Sequence, residues 1–155
     1  MRNLFFTFTL IIIGQFNSYS QTVLDTDGLN NIDNVFLFSL KQYCNTLDSL
    51  KTKVVYVKRD HFVGENWPTK IQNIEIKYLD NYKKVITENG GNITIVGICP
   101  FEFRNGQFSV SVIPFSATYS KRIVNLSNGG GLTVYFEYDN EKKGLIYKMK
   151  KWNGI

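Results

Sequence analysis

"ITIVGICPFEFRNGQFSVSVIPFSATYS", Ile93 to Ser120, is the stretch on which the fold turns. Two runs of β-branched and aromatic residues flank Asn105-Gly106, a pair that favours a two-residue type I′ turn. Such a turn fixes register. Arg104 is expected opposite Gln107, Phe103 opposite Phe108, Phe101 opposite Val110 and Cys99 opposite Val112. Near the turn one face is apolar and the other carries Glu102, Arg104, Ser109 and Ser111. Farther away, Val96, Ile98, Ile113 and Phe115 make the second face apolar as well. Pro100 and Pro114 lie near that change, where missing N–H donors predict bulges or bends. The expectation is a long, curved hairpin, covered on one face at one end and on both at the other.

Toward the C-terminus, "SNGGGLTVYFEYDNEKKGLIYKMKKW" supplies a glycine-rich connection and a final pair of strands. Leu132, Val134, Phe136 and Tyr138 alternate there with Thr133, Tyr135 and Glu137. Toward the N-terminus, "DNYKKVITENGG" reads as a short helix, with Asp80 as cap and Gly90 or Gly91 ending it in the left-handed conformation. "IEIKYL" and "KVVYVK" have the two-residue period of strands. Before them, Ile32, Phe36, Leu40, Tyr43, Leu47 and Leu50 recur at steps of three and four, predicting a helix from Asp33 to about Leu50. So wide an apolar stripe needs a sheet to pack against.

The order of helix, two strands, short helix and four strands resembles the NTF2-like, cystatin-like cone, in which a curved antiparallel sheet wraps a long helix. The resemblance lies in element order and carries no residue motif, so it assigns no catalytic residues. A cystatin-like arrangement of one helix on a curved sheet is the nearest alternative. The expected fold class is α+β: an N-terminal helix packed on a curved antiparallel sheet of about five to six strands, with a second short helix.

The first twenty residues are read as a separate unit. Arg2 gives a short positive region, Leu4 to Ile13 an apolar run, and Ser18 and Ser20 the small residues of a cleavage site before Gln21. That is the layout of a secretory signal peptide. The expectation is therefore a signal peptide over 1–20, a polar lead-in over 21–32 and a single α+β domain over 33–155. The mature protein is expected to be exported, periplasmic or secreted, with no membrane span after signal removal. Losing Arg2 lowers the formal charge of +5 by one. The basic excess gathers at Lys142, Lys143, Lys148, Lys150 and Lys151. Export argues against a nucleic-acid partner for them. A solvated basic face is the plain reading, and a protein or an anionic surface is the partner they would suit.

The chemical constellations are sparse. "RDHFVGENWPTKI", Arg59 to Ile71, holds the sole histidine. His61 needs an orienting carboxylate to act as a base. Asp60 alternates to the opposite face of a strand, and Glu65 reaches only if the loop folds back. Gly64, Asn66 and Pro68 make this stretch a loop by composition. His61, Glu65 and Trp67 form a candidate contact loop, with Trp67 expected to plug the end of the core.

"SNGGGL" lacks the lysine and hydroxyl residue of a phosphate loop. "LDTDGLNNID" has too few carboxylates for a strong calcium loop. One histidine and two distant cysteines give no transition-metal set. Asn92-Ile93-Thr94 and Asn125-Leu126-Ser127 match the N-glycosylation pattern. Cys44 and Cys99 are a candidate disulfide, which export would permit.

No catalytic, cofactor or metal residues are expected. The leading reading is a non-catalytic binding or structural module. The alternative is an NTF2-like pocket enzyme or small-ligand carrier with its site between helix and sheet, lined by Tyr43, Tyr119, Tyr135 and Glu137.

Overall fold

The computed structural model describes residues 35–48 and 50–154. The expected signal peptide, the lead-in and the expected helix start at Asp33 lie outside them.

The Asn105-Gly106 turn forms as its sequence dictates. Both residues have positive φ, 53° and 75°, the type I′ requirement that asparagine and glycine meet most readily. It joins β5 (Glu102–Arg104) to β6 (Gln107–Ser120). The expected register holds at this end, with Arg104 opposite Gln107 and Phe103 opposite Phe108. It slips by one residue at Pro100. In β4 (Asn92–Ile98), Ile98 rather than Cys99 faces Val112. The proline has no N–H for the ladder, so the chain bulges there and the face of every residue beyond it changes.

The other side of β6 carries a matching irregularity. A turn at Lys121-Arg122 leads into β7 (Ile123–Asn128), and β8 (Gly130–Asp139) follows. Phe115 faces Asn128, whereas Val112 faces Leu132, so one extra residue is inserted near Gly129. Gly130 has φ +110°, and a Cβ there would collide with the carbonyl oxygen of Asn153. Only glycine fits. β9 (Gly144–Gly154) pairs with β8 and forms one edge.

The first half of the chain departs from the expected α+β class. β1 (Val54–Lys58), the two-residue β2 (Lys70–Ile71) and β3 (Ile74–Leu79) complete a nine-stranded sheet. Its path runs β2-β3-β1-β4-β6-β8-β9, and β5 and β7 also pair with β6. β1 is parallel to both β3 and β4. The sheet is thus mixed and mostly strand, in place of a helix on five to six antiparallel strands. The connections explain this. Residues 59–73 are too long for a hairpin turn, and β2 folds back on β3, so β1 meets β3 in parallel. The segment 80–91 then crosses over β1 and sets β4 on its other side. Parallel neighbours require such long crossovers.

Two short helices cover the two faces. α1 (Val35–Cys44) stops before the expected Leu50. Asp48 accepts the N–H groups of Leu50 and Thr52, through its carboxylate and its carbonyl respectively, and so builds a turn where a helix would have continued. Leu50 is exposed. Phe38, outside the expected stripe, is instead a core anchor against Phe136 and Tyr147. Ser39 is buried but satisfied by Val35 O at 2.7 Å. Beneath α1 lies the main core, including Val57, Ile74, Val110, Val134 and Phe136.

α2 (Tyr82–Glu88) lies on the other face, capped by Asn81 rather than Asp80. Gly90 and Gly91 have positive φ, and Gly91 N–H returns to Ile86 O at 2.8 Å, closing the helix as expected. Ile86 packs there with Leu79, Ile93, Ile95 and Ala117.

Candidate functional site

A cleft of about 430 Å³ opens on the α2 face, at the carboxyl ends of the parallel strands β1 and β4. The connection leaving β1 runs to β3 by way of the α1 core, and the one leaving β3 at the same end of the sheet carries α2 over the other face. Open sheets leave a crevice where connections part in this way.

Its floor is apolar: Ile95, Gly97 and Ile98 from β4, Phe115 from β6 and Leu126 from β7. Gly97 has a packing reason. A Cβ there would come within 3.0 Å of the Phe115 ring, so the glycine lets that ring lie close over the neighbouring strand. Tyr82 enters from the first turn of α2. Lys58, Asp60, His61 and Phe62 form one wall, and Cys99 and Pro100 also line the cleft.

That wall is shaped by Asp60. Its carboxylate accepts Phe62 N–H at 3.2 Å and its carbonyl accepts Val63 N–H at 3.2 Å. The turn sends Val63 into the α1 core and stacks Phe62 on Phe36 at 4.7 Å. Arg59 beside it donates its backbone N–H to Leu79 O. Its buried Nε lies 3.1 Å from Asp80, an ion-pair distance, but off the axis of a hydrogen bond.

His61 is exposed at the wall of the cleft, and Glu65 is exposed beyond it. Trp67 turns the other way. It is half-buried against the α1 core, edge-on to Tyr78 at 6.3 Å and laid against Gly64. Tyr78 OH donates to Pro68 O at 2.8 Å and secures the loop.

The two thiols occupy different places. Cys44 is buried in the α1 core and Cys99 lines the cleft; both are free, so the Cys44–Cys99 bridge is not formed here. Burial pushes Cys44 up to about 12. Burial also raises Cys99, helped by the negative charges of Glu102 and Asp60. The Cys99 sulfur is thus held as the neutral thiol, the weaker nucleophile. Among the described residues no three of His, Cys, Asp and Glu gather as a metal site.

The four residues expected to line a pocket under the helix are scattered. Tyr43 lies in the α1 core, stacked on Trp152 at 6.1 Å. Tyr119 packs on the α2 face beneath Lys83. Tyr135 sits in β8, and Glu137 pairs with Lys148 at 2.7 Å. None of them lines the cleft. Of the residues that do, His61 and Cys99 were singled out in the sequence; Lys58, Phe62, Tyr82, Gly97 and Leu126 were missed because they meet only through the parallel β1–β4 pair and the β6–β7 hairpin. The glycine inside an apolar strand and the proline two residues after its end were the available signals.

The basic residues lie along and beside β9. Lys148 bonds Glu137, and Lys150 Nζ donates to Gln42 of α1 at 2.9 Å. No described helix is long and apolar enough to cross a membrane. The chain matches no family model, no curated protein and no solved structure.

Proposed function

We propose that the protein is an exported, non-catalytic binding module, and that the cleft on the α2 face takes an apolar group of its ligand. The observation that carries the reading is the chemistry of the lining. Phe115, Ile95, Leu126 and Phe62 give an apolar interior, with Lys58, Asp60 and His61 along one wall. Binding sites have this division, apolar area for affinity and a few polar groups for orientation. The neutral Cys99 thiol supports binding over nucleophilic chemistry. The export part rests on the signal-like layout of residues 1–20 alone.

The test is titration with Nile red, a neutral environment-sensitive dye. Binding with a blue-shifted emission is expected, weakened about tenfold by Leu126→Asp and unaffected by Glu65→Ala, an exposed position outside the cleft. Leu126 is half-exposed, so its substitution spares the core. Absence of dye binding, or binding indifferent to Leu126→Asp, would sink the reading.

A further inference from the structure

We infer that the ligand is an extended peptide segment, which adds as a strand to the free edge of β7 and places a large apolar side chain in the cleft. The inference rests on the cleft being a binding site and identifies what it binds.

The cleft runs across the sheet from the end of β1, over β4 and β6, to Leu126 of β7. Among the described residues β7 pairs only with β6, so the cleft ends at an unpaired strand edge. Among the described residues four strands have an unpaired edge, β2, β5, β7 and β9, and they differ. β5 is three residues long and carries Glu102 and Arg104. β2 is two residues long. β9 carries Lys148, Lys150 and Lys151 and a register break near Tyr135 and Phe136. Shortness, lysines and bulges are the usual protections against strand addition. β7 is "IVNLSN" and has none of them, and no charged residue occurs from Ile123 to Phe136. Ile123 and Leu126 are 61% and 49% exposed.

The backbone of β7 is set to receive a strand. Tyr119 N–H points to Gly91 O on the β4 side of β6. The N–H groups of Thr118 and Ser120 therefore point to β7, and their partners Asn125 and Ile123 bond inward. Val124 and Leu126 consequently direct their N–H and C=O groups outward. Leu126 faces Ala117 and Val124 faces Tyr119, which places both side chains on the α2 face. A strand added here sets every second side chain beside them, at the open end of the cleft. Peptides bound in this mode draw affinity from main-chain bonds and specificity from pockets for alternate side chains.

A single peptide suits the slot better than a second copy of the protein. The slot is closed at one end, because Gly130 already pairs with Gly154 of β9. In antiparallel self-pairing centred on Asn125 or on Leu126, the registers that set outward-facing residues opposite each other, the partner's Lys121-Arg122 turn would fall opposite Asn128 and Gly129 or opposite Gly130 and Gly131, at the end of β9. A peptide chain ends or bends away there.

The probes are capped heptapeptides TVTXTVT, with X as Phe, Leu, Ala or Asp, titrated into the isotope-labelled intact chain. The Phe and Leu peptides are expected to slow hydrogen exchange at the Val124 and Leu126 amides and to perturb Phe115. The Ala and Asp peptides are expected to bind about tenfold more weakly or worse. Val124→Pro removes one outward N–H and leaves the β6–β7 ladder whole. It should weaken the Phe peptide about tenfold while keeping Nile red binding. Leu126→Lys, which charges the same edge, is the second variant and should do the same to the peptide. Undiminished peptide binding by a folded Val124→Pro protein overturns the inference, as does protection on β9 in place of β7. Concentration-dependent dimerisation that protects the β7 amides gives the slot to a second copy and overturns it too. Nile red binding without β7 protection refutes strand addition alone, whereas failure of the dye refutes the cleft reading beneath it.

Discussion

The two faces of the sheet are covered by helices of unequal reach. α1 is ten residues long and buries Phe38, Leu40, Tyr43 and Cys44 against a core that extends through Val110, Val134 and Phe136. α2 is seven residues long and buries only Ile86. Its cluster stops near Tyr82, leaving Phe115 and Leu126 partly uncovered. One face is therefore closed and holds stability, and the other is left open along the cleft. A binding surface needs no added architecture here; it is the area of apolar sheet that the shorter helix fails to cover.

That contrast can be broken most directly at Phe136. The side chain is fully buried under α1, so Phe136→Ala should cost about 3–5 kcal/mol in denaturant unfolding. A loss as small as that of a cleft residue would show that the α1 face is not the stabilising one.

High pH sharpens the same contrast. Cys44, Tyr43 and Tyr78 all belong to the α1 side, and burial, the leading cause for each, raises their pKa values to about 12. The unfolded thiol ionises near 9 and the unfolded tyrosines near 10. Below pH 9 both states hold these protons and their contribution is complete. Between 9 and 12 the unfolded chain releases protons that the folded chain keeps, so stability falls as pH rises. Cys44 alone should contribute a loss of about 1.4 kcal/mol per pH unit in that window. Urea unfolding from pH 8 to 11 measures it. Cys44→Ala should begin less stable and show a shallower decline.

Trp67 lies at the margin of the closed face. Because it is half-buried, Trp67→Ala should cost about 2 kcal/mol, below the range for a fully enclosed aromatic. His61 belongs to the open face and has solvent around it. His61→Ala should change stability by about 0.5 kcal/mol or less. A larger loss in thermal unfolding would mean that the wall of the cleft is a structural element.

The closed face was the more legible in sequence. Asn105-Gly106 encodes a local turn, and from it the register of β5 on β6 follows without reference to any distant residue. Alternation in β8 likewise marks Leu132, Val134 and Phe136 as inward. Trouble begins where one residue changes phase. Pro100 was recognisable as an interruption, but the direction of the slip depends on how Cys99 N–H reaches Ser111 O, which no period encodes. The end of α1 was misread because Leu47 still packs on the core after the helix has stopped, so apolar spacing outlasts the helical backbone. The open face was least legible. "KVVYVK" announces a strand but not its neighbours, and the pairing of Tyr56 with Ile95 and Val57 with Val96 brings together residues some forty positions apart. The cleft depends on that pairing, so its members looked unrelated along the chain.

The mixture of local and distant pairings also sets an order of assembly. β5–β6, β6–β7 and β8–β9 close through short turns, whose loop-closure entropy is small. The parallel β1–β4 and β1–β3 ladders must join segments far apart in the chain, and such contacts slow folding. The antiparallel half should nucleate first, with β1 docking late and opening early. Hydrogen exchange under native conditions would then show the β1 amides exchanging through a lower-energy opening than those of β6 and β8. The cleft has its floor on the early-folding strands and its His61 wall on the late one. Ligand occupancy would thus act as a latch, slowing the escape of the first strand to leave.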